Sequence, residues 1–245
     1  MSSTEEFQVQ GLTVRIQQDE DYESPREWGT HGKMICWHRK YNLGDDHDYK
    51  TPQDFFISLF DECDPSGEDV RKIIAELIKD EDWQEDYRKF FVSNMHYSTR
   101  DSIRYDYLRE VMENDGLPRS IHEMIQEVVE EKFLVLPLYL YDHSGITMNT
   151  TGFSCRWDSG KVGYIYAAKD SLEDPSVELE KVLISEVEVY DQYLTGDVWG
   201  YVIEDESGCE LDSCWGHYGY DYCTEEAKSQ ALYYASQVNR PTYDI

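Results

Sequence analysis

The stretch that decides the fold is FLVLPLYLYDHSGITMNTTGFSCRWDSGKVGYIYAAK, residues 133–169. Two Tyr-rich apolar runs, 133–142 and 162–168, flank a polar segment that holds Asp-His, a Cys, a second Asp and three Gly. Runs of aromatic and β-branched residues bounded by Gly, Asp and Ser predict two strands, which we expect to pair as a hairpin. The DHSG and WDSG sequences are typical of turns, because Asp and Ser bond nearby backbone and Gly accepts positive φ.

Other strands are predicted on both sides of this stretch. FQVQGLTVRI (7–16) and MICWHR (34–39) precede it, and EVEVYDQYL (186–194) and VWGYVIEDE (198–206) follow it. TGD at 195–197 predicts a turn between the last two. We expect all four to be short strands of a largely antiparallel sheet.

Between about residues 52 and 131 the apolar period changes from strand-like to helical. TPQDFFISLFDEC begins with a Thr cap and an early Pro, which is typical of a helix start. The periodicity predicts helices at 51–63, 66–80, 83–95, 101–114 and 118–132. In the last one, one apolar stripe is formed by Ile121, Met124, Ile125, Val128 and Val129. The opposite face carries Glu123, Glu127, Glu130 and Glu131.

A helix at about 224–238 ends the chain. Strands, a helical block and further strands predict an α+β fold with a largely antiparallel sheet. We expect one composite domain over residues 1–245, with a helical subregion at about 52–131 and a strand-rich subregion at about 133–223.

The formal net charge is −29, from 51 acidic and 22 basic residues. Each successive fifty-residue segment is net negative, so no acidic tail carries the excess. Because unpaired charges are expensive to bury, the folded surface must be acidic. Such a surface disfavours direct binding to nucleic acid or anionic membrane and favours a basic partner. Halophilic adaptation would also give acidity, but six Ala, 20 Tyr and equal numbers of Lys and Arg argue against it.

The opening MSSTEEFQVQ lacks the basic and apolar regions of a signal peptide. No apolar run approaches the roughly 18 residues of a membrane span. Six Cys in this context predict reduced thiols and a cytoplasmic location. We expect no cofactor.

The hairpin tip offers one candidate for thiol chemistry. A cysteine nucleophile needs a base and a group that orients it. Cys155, His143 and either Asp142 or Asp158 supply these groups if the two strands pair. The alternative, that the block is purely structural, is the preferred interpretation, because the spacing matches no protease signature.

The same block carries a family resemblance. LYLYDHSGITMNT (138–150) and FSCRWDSGKVGYIY (153–166), with EVYDQYLTGDVWGYVIE (188–204) and DSCWGHYG (212–219) downstream, resemble a family of uncharacterised acidic proteins of bacteriophages and mobile elements. The resemblance covers roughly residues 133–220 and transfers no active-site residue. It implies an accessory intracellular protein of a virus or mobile element.

Two groups of residues have metal-binding chemistry. Zinc takes Cys and His ligands, and one such set is Cys209, Cys214, His217 and Cys223. Their C-x4-C-x2-H-x5-C spacing lacks tight C-x2-C pairs, so free thiols are the preferred interpretation. His47 in GDDHD lies beside three Asp, but the glycine and glutamate positions of a calcium loop are missing. We therefore expect no bound metal.

The acidity itself suggests mimicry of nucleic acid. Carboxylates at i, i+4 on a helix are roughly 5–6 Å apart, near the phosphate spacing of one strand. Glu123, Glu127 and Glu131 form such a row. A second cluster contains Asp80, Glu81, Asp82, Glu85 and Asp86. The alternative is a solvated face that serves solubility.

The leading hypothesis from the sequence is a phage-type inhibitor of a host defence nuclease, of restriction or CRISPR type. It would act as a DNA mimic on the basic nucleic-acid-binding surface of that nuclease, in the host cytoplasm. The alternatives are a thiol-dependent hydrolase using Cys155 and His143, and an accessory phage protein that binds another phage protein. The sequence leaves the oligomeric state open.

Overall fold

The structure is a computed structural model, and it describes residues 4–113, 117–174 and 176–238. The final residue of the helix predicted at 101–114, Asn114, lies outside these residues. The described residues are α+β, with 44% helix and 25% strand, as the sequence predicts.

The described residues form eight strands and seven α-helices. The strands are β1 (Thr4–Val9), β2 (Leu12–Gln18), β3 (Lys33–Cys36), β4 (Phe133–Asp142), β5 (Ile146–Asn149), β6 (Ser159–Ala168), β7 (Val198–Glu204) and β8 (Glu210–Tyr218). The helices are α1 (Pro52–Cys63), α2 (Gly67–Leu77), α3 (Glu81–Asn94), α4 (Arg100–Met112), α5 (Arg119–Lys132), α6 (Leu179–Thr195) and α7 (Tyr220–Val238). A short 3-10 helix spans Pro25–Glu27.

The strands form two antiparallel sheets, with orders β1-β2-β7-β8 and β3-β6-β4-β5. The predicted neighbours 133–142 and 162–168 correspond to β4 and β6, which are adjacent in the second sheet. They are not a hairpin, however. β5 lies between them in sequence and pairs with the end of β4, Tyr139 opposite Asn149 and Asp142 opposite Ile146. The polar segment is therefore partly a strand rather than a single loop.

The chain divides into two compact units. We call residues 33–136 and 163–179 the helical unit, and residues 1–32, 137–162 and 180–245 the sheet unit. β4 and β6 each run from one unit into the other.

Side-chain caps begin α1, α2, α3 and α4 of the helical unit, whereas α5 follows Pro118 without one. Thr51 and Asp54 form a reciprocal capping box at α1, and Ser66, Asp80 and Thr99 cap α2, α3 and α4. Each cap satisfies backbone N–H groups that the first turn leaves unpaired, which is why these helices begin where they do.

The core of the helical unit is built from large side chains. The buried members include Phe55, Phe60, Ile73, Leu108 and Ile125. Tyr107 is also buried, and its hydroxyl donates to the Asp86 carboxylate over 3.0 Å. Burial, with this hydrogen bond, raises the pKa of Tyr107 well above its ordinary value.

In the sheet unit, α7 covers one face of the first sheet. Its buried positions are small residues at helical spacing, namely Cys223, Ala227, Ala231 and Ala235. They pack on Leu12, Val14, Ile16, Tyr201 and Ile203 of β2 and β7. Small side chains let the helix backbone approach the sheet closely.

Two strand predictions are wrong in the sheet unit. Residues 186–194 lie within α6, where Leu183, Val187 and Tyr190 are buried at helical spacing. Glu186 and Glu188 make the sequence alternate, but the buried face has the helical period. TGD then follows a helix, with Gly196 at φ 73°. Residues 7–16 are two strands, because Gln10 (φ 48°) and Gly11 (φ 89°) form a turn between β1 and β2.

Within the described residues, no helix combines the length and the apolar character that crossing a membrane requires.

Candidate functional site

The α5 carboxylates are positioned by the helix's apolar face. Ile121, Ile125 and Val129 are buried in the core of the helical unit. Four carboxylates on the remaining surface are exposed, namely Glu123, Glu127, Glu130 and Glu131. The predicted exposed row is therefore present on one helix.

The α5 row is only partly neutralised. Glu123 accepts from Arg119 Nε over 2.8 Å, and Glu130 accepts from Gln126 over 2.6 Å. Glu127 and Glu131 have no ion pair among the described residues. Glu131 also borders a cavity of about 500 Å³, together with Lys132 and Lys169. Two consecutive members of the i, i+4 row thus keep a free negative charge.

The α3 cluster is more heavily engaged. Asp80 caps the helix by accepting from the backbone N–H of Asp82 over 3.0 Å. Glu85 accepts from Arg88 over 2.9 and 3.0 Å and lies 3.6 Å from Lys89 Nζ. The Arg88 hydrogen bond lowers the pKa of Glu85. Asp86 accepts from Tyr107, so the fully available carboxylates of this cluster are Glu81 and Asp82. This cluster therefore leaves fewer of its carboxylates unengaged than its composition suggests.

The sheet unit holds an acidic region that the candidate clusters omit. Residues 182–227 contain 12 Asp and Glu and no Lys or Arg. The unit as a whole has 23 acidic and 7 basic residues, against 28 and 15 in the helical unit. A count of basic residues in a sliding window would have found this region.

Two carboxylates of residues 182–227 are held by arginines from elsewhere in the sheet unit. Glu204 pairs with Arg15, which also reaches Glu6 over 3.3 Å. Glu186 pairs with the buried Arg26 over 3.3 Å. Five exposed carboxylates have no Lys or Arg partner in the described part of the chain: Glu188, Glu206, Glu210, Asp221 and Glu225. Five of the 12 carboxylates in this region therefore face solvent without a cationic partner.

The Arg26–Glu186 pair was not predicted, because 186–194 was interpreted as a strand. The Glu186 carboxylate also accepts from the backbone N–H of His31 over 2.7 Å and of Gly32 over 3.1 Å. Arg26 donates to the Gly32 carbonyl over 2.6 Å. The pair borders a largely apolar cavity of about 400 Å³ with Trp28 and Val189. These bonds fasten the loop before β3 to α6.

His143, Cys155 and Asp158, the candidates for thiol chemistry, lie close together, but they are not arranged as in a catalytic triad. His143 Nδ1 and Cys155 Sγ each lie 3.5 Å from the same oxygen of Asp158. Asp142 contributes its backbone N–H, which donates to the Asp158 carbonyl over 2.8 Å. Asp158 thus stands between the thiol and the imidazole.

That order limits the chemistry. Thiol catalysis needs the base itself within hydrogen-bond reach of the sulfur. Here the thiol donates to a carboxylate, and the His143 side chain is 63% exposed. Ser159 donates to the Cys155 carbonyl in the same loop. The arrangement acts as a brace that joins the loop before β6 to the end of β4.

The Cys and His residues between 209 and 223 are distributed over different environments. Cys209 and Cys214 are exposed and Cys223 is buried under the first sheet. Burial raises the pKa of Cys223 to about 12 and lowers that of His217, whose ring stacks on Tyr201 at 5.4 Å. Because zinc binds the thiolate form of cysteine, the burial of Cys223 disfavours its use as a zinc ligand.

His47 has a structural contact as well. Its Nε2 lies 2.9 Å from the Cys36 carbonyl, and its ring stacks on Tyr49 at 5.7 Å. Asp45 is occupied by the backbone N–H of Met34 over 2.9 Å. Among residues 4–113, 117–174 and 176–238, no group of three or more His, Cys, Asp or Glu converges to hold a metal ion.

Comparisons with protein-family models, with curated proteins and with solved structures find no match to this chain.

Proposed function

We propose that the protein is a phage-type inhibitor of a prokaryotic defence nuclease, which it binds stoichiometrically in place of nucleic acid in the host cytoplasm. The observation that carries the proposal is the exposed row on α5, in which Glu127 and Glu131 have no ion pair among the described residues. Carboxylates one helical turn apart, roughly 5–6 Å, approximate the phosphate spacing that a basic groove accepts.

The physical basis is competition for Lys and Arg. Nucleases of restriction and CRISPR systems hold nucleic acid largely through its phosphates. When these carboxylates dock, their side chains must be ordered but the backbone that carries them need not be, since the helical core already fixes it. The row therefore offers a preformed set of negative charges to a basic channel.

The overall charge supports the same partner. Both units are strongly acidic, with net formal charges of −13 and −16 for the helical and sheet units. Long-range attraction then accelerates encounter with a basic surface, and close charge pairs determine which surface is retained.

The thiol-hydrolase hypothesis is second, because Asp158 separates Cys155 from His143. We expect Cys155→Ala to preserve biological activity with a modest loss of stability. A folded Cys155→Ala variant without activity would favour the hydrolase instead.

The decisive experiment compares two triple charge reversals that change the net charge equally. One variant replaces Glu123, Glu127 and Glu131 by Lys. The matched control replaces Glu188, Glu206 and Glu225, which are exposed in the sheet unit. Both are assayed against a panel of restriction and CRISPR nucleases by DNA cleavage at physiological ionic strength, with circular dichroism to confirm folding.

We expect the α5 variant to lose at least about tenfold in inhibition, while the control loses little, because only the first disrupts the matched row. Binding should weaken steeply with added salt and exclude nucleic acid. Equal loss in both variants would show that general acidity suffices. A ternary complex of protein, nuclease and DNA would refute mimicry.

A further inference from the structure

The loop between β5 and β6, residues 150–158, presents a tryptophan to solvent. Trp157 is 95% exposed, and its neighbour Arg156 is exposed as well. A tryptophan can bury 150–250 Å² when it has a partner, so a solvated indole leaves a large apolar area uncovered. Such side chains are frequent anchors of protein interfaces.

The exposure belongs to a well-braced loop. Asn149 Oδ1 accepts from the backbone N–H groups of Gly152 over 2.7 Å and Thr151 over 3.2 Å. Phe153 packs against Tyr141 with ring centroids 5.6 Å apart. The Asp158 brace described above closes the other end. Because the loop is fixed at both ends, the backbone that carries Trp157 needs little ordering on association, which lowers the entropic cost of binding.

The segment around this loop lacks the carboxylates that are frequent in most of the chain. Residues 143–157 contain no Asp or Glu, although the chain has 51, and Arg156 is the one Lys or Arg in that segment. A basic partner would therefore find no carboxylate within this segment to pair with. Two copies that each carry −29 repel one another, but a contact through this segment brings none of its own side chains together as like-charged carboxylates.

We infer that the loop at residues 150–158 is a self-association site, through which two copies of the chain pair about a two-fold axis. Arg156 and Trp157 are adjacent, so a two-fold contact can place each guanidinium over the indole of the other copy. A contact between two loops is smaller than the interfaces of stable complexes, so the dimer is weak and depends on concentration. This inference is independent of the proposed function.

The sign of the salt dependence distinguishes this contact from the nuclease contact. Added salt screens the repulsion between two anionic copies but leaves apolar and close cation–π contacts largely intact. Self-association should therefore strengthen with salt, whereas binding to a basic nuclease weakens.

The test is sedimentation velocity of the full chain over a wide concentration range, at about 0.05 M and about 0.5 M salt. Trp157→Ala is compared with Tyr97→Ala, because Tyr97 is an 89% exposed aromatic in the helical unit. We expect a dimer that strengthens at high salt and that Trp157→Ala weakens at least about tenfold. Arg156→Ala should weaken it less, and Tyr97→Ala should leave it unchanged.

Three outcomes would overturn the inference. One is a chain that stays monomeric at every concentration and salt. Another is a dimer that survives Trp157→Ala, or that Tyr97→Ala weakens equally. The last is a dimer that dissociates with added salt. Since none of these measurements involves a nuclease, failure here leaves the inhibition assay undisturbed.

Discussion

The helical unit and the sheet unit are similarly acidic but neutralise their charge by different means. In the helical unit, ion pairs such as Glu68–Lys72, Glu85–Arg88 and Asp101–Arg104 join residues three or four apart on one helix. In the sheet unit, Arg15 bridges carboxylates on the two neighbouring strands, and Arg26 reaches a helix 160 residues away in sequence. Charge is therefore balanced mainly within single helices in the first unit, although Arg109 of α4 also pairs with Asp61 of α1 over 3.2 Å, and by tertiary contacts in the second.

The two units also differ in how their cores are built. The core of the helical unit consists of large branched and aromatic side chains that several helices contribute. The sheet unit relies on a close fit between the small residues of α7 and the strands beneath. The first core is stabilised by large buried side chains. The second requires small side chains at the positions where α7 contacts the sheet.

The largest expected effects on stability come from changing side-chain size in each core, to a smaller residue in the helical unit and to a larger one in the sheet unit. Leu108 is fully buried in the helical unit, so Leu108→Ala should leave a cavity and cost about 2–5 kcal/mol in the free energy of unfolding. Ala231 is a fully buried residue of α7 on the face that packs against β2 and β7, so Ala231→Leu should overpack the sheet unit and cost about 1–3 kcal/mol. Denaturant titration measures both. If Ala231→Leu were neutral, the proposed close packing of α7 would be incorrect.

Removing an ion pair should change stability less than these core substitutions, and the loss should depend on whether the pair is tertiary or local. Arg15→Gln leaves the Glu6 and Glu204 carboxylates on the strands beside it without their cation, and we expect a loss of about 1 kcal/mol. Lys72→Gln removes one exposed pair within α2 and should cost about 0.3–0.5 kcal/mol. Chemical denaturation at low and high salt measures both, and the two losses should shrink as salt rises. Equal losses would remove the distinction between tertiary and local neutralisation.

The smallest effect is a pH dependence in the sheet unit. Burial lowers the pKa of His217, and its Nε2 has no hydrogen-bond partner among the described residues. Below about pH 6.5, the ordinary histidine pKa, the unfolded chain takes up a proton that the folded chain resists. His217 should therefore destabilise the fold as pH falls through this range and have no such effect above it.

His217→Phe preserves a ring against Tyr201 and removes the titration. We expect the variant to lose less stability than the parent between about pH 7.5 and 5.5, measured by denaturant unfolding. Identical losses in the two proteins would mean that the imidazole is solvated in the folded state.

The sequence predicted the helical unit well because its helices are defined by neighbours in the chain. The stripe containing Ile121, Ile125 and Val129 and the cap at Thr51 are both local signals, and both correspond to observed elements. The exposed glutamates of α5 follow from the same periodicity, since a helix that buries one face must expose the other.

The sheet unit was predicted less completely. The strand at 198–206 is present as β7, but α6 was predicted as a strand, and β5 and β8 were not predicted. β8 pairs with β7 through an irregular register, and its exposed Glu210, Ser213 and Cys214 give no alternating apolar signal. An edge strand of this kind is held by its neighbour's backbone, which side-chain patterns do not report.

The cluster of His143, Cys155 and Asp158 was also predicted only in part. Turn residues and flanking strands indicated that His143, Cys155 and Asp158 lie near one another, and they do. Which of the three stands in the middle depends on the pairing of β4 with β5 and β6 in the second sheet. The placement of Arg15 between Glu6 and Glu204 likewise depends on the register of three strands. Periodicity reports on neighbours within one or two helical turns, so it specifies which face of a helix is buried. Composition specifies the total charge. Partners distant in sequence are chosen only when the strands align, because that choice requires closing long loops around a common core.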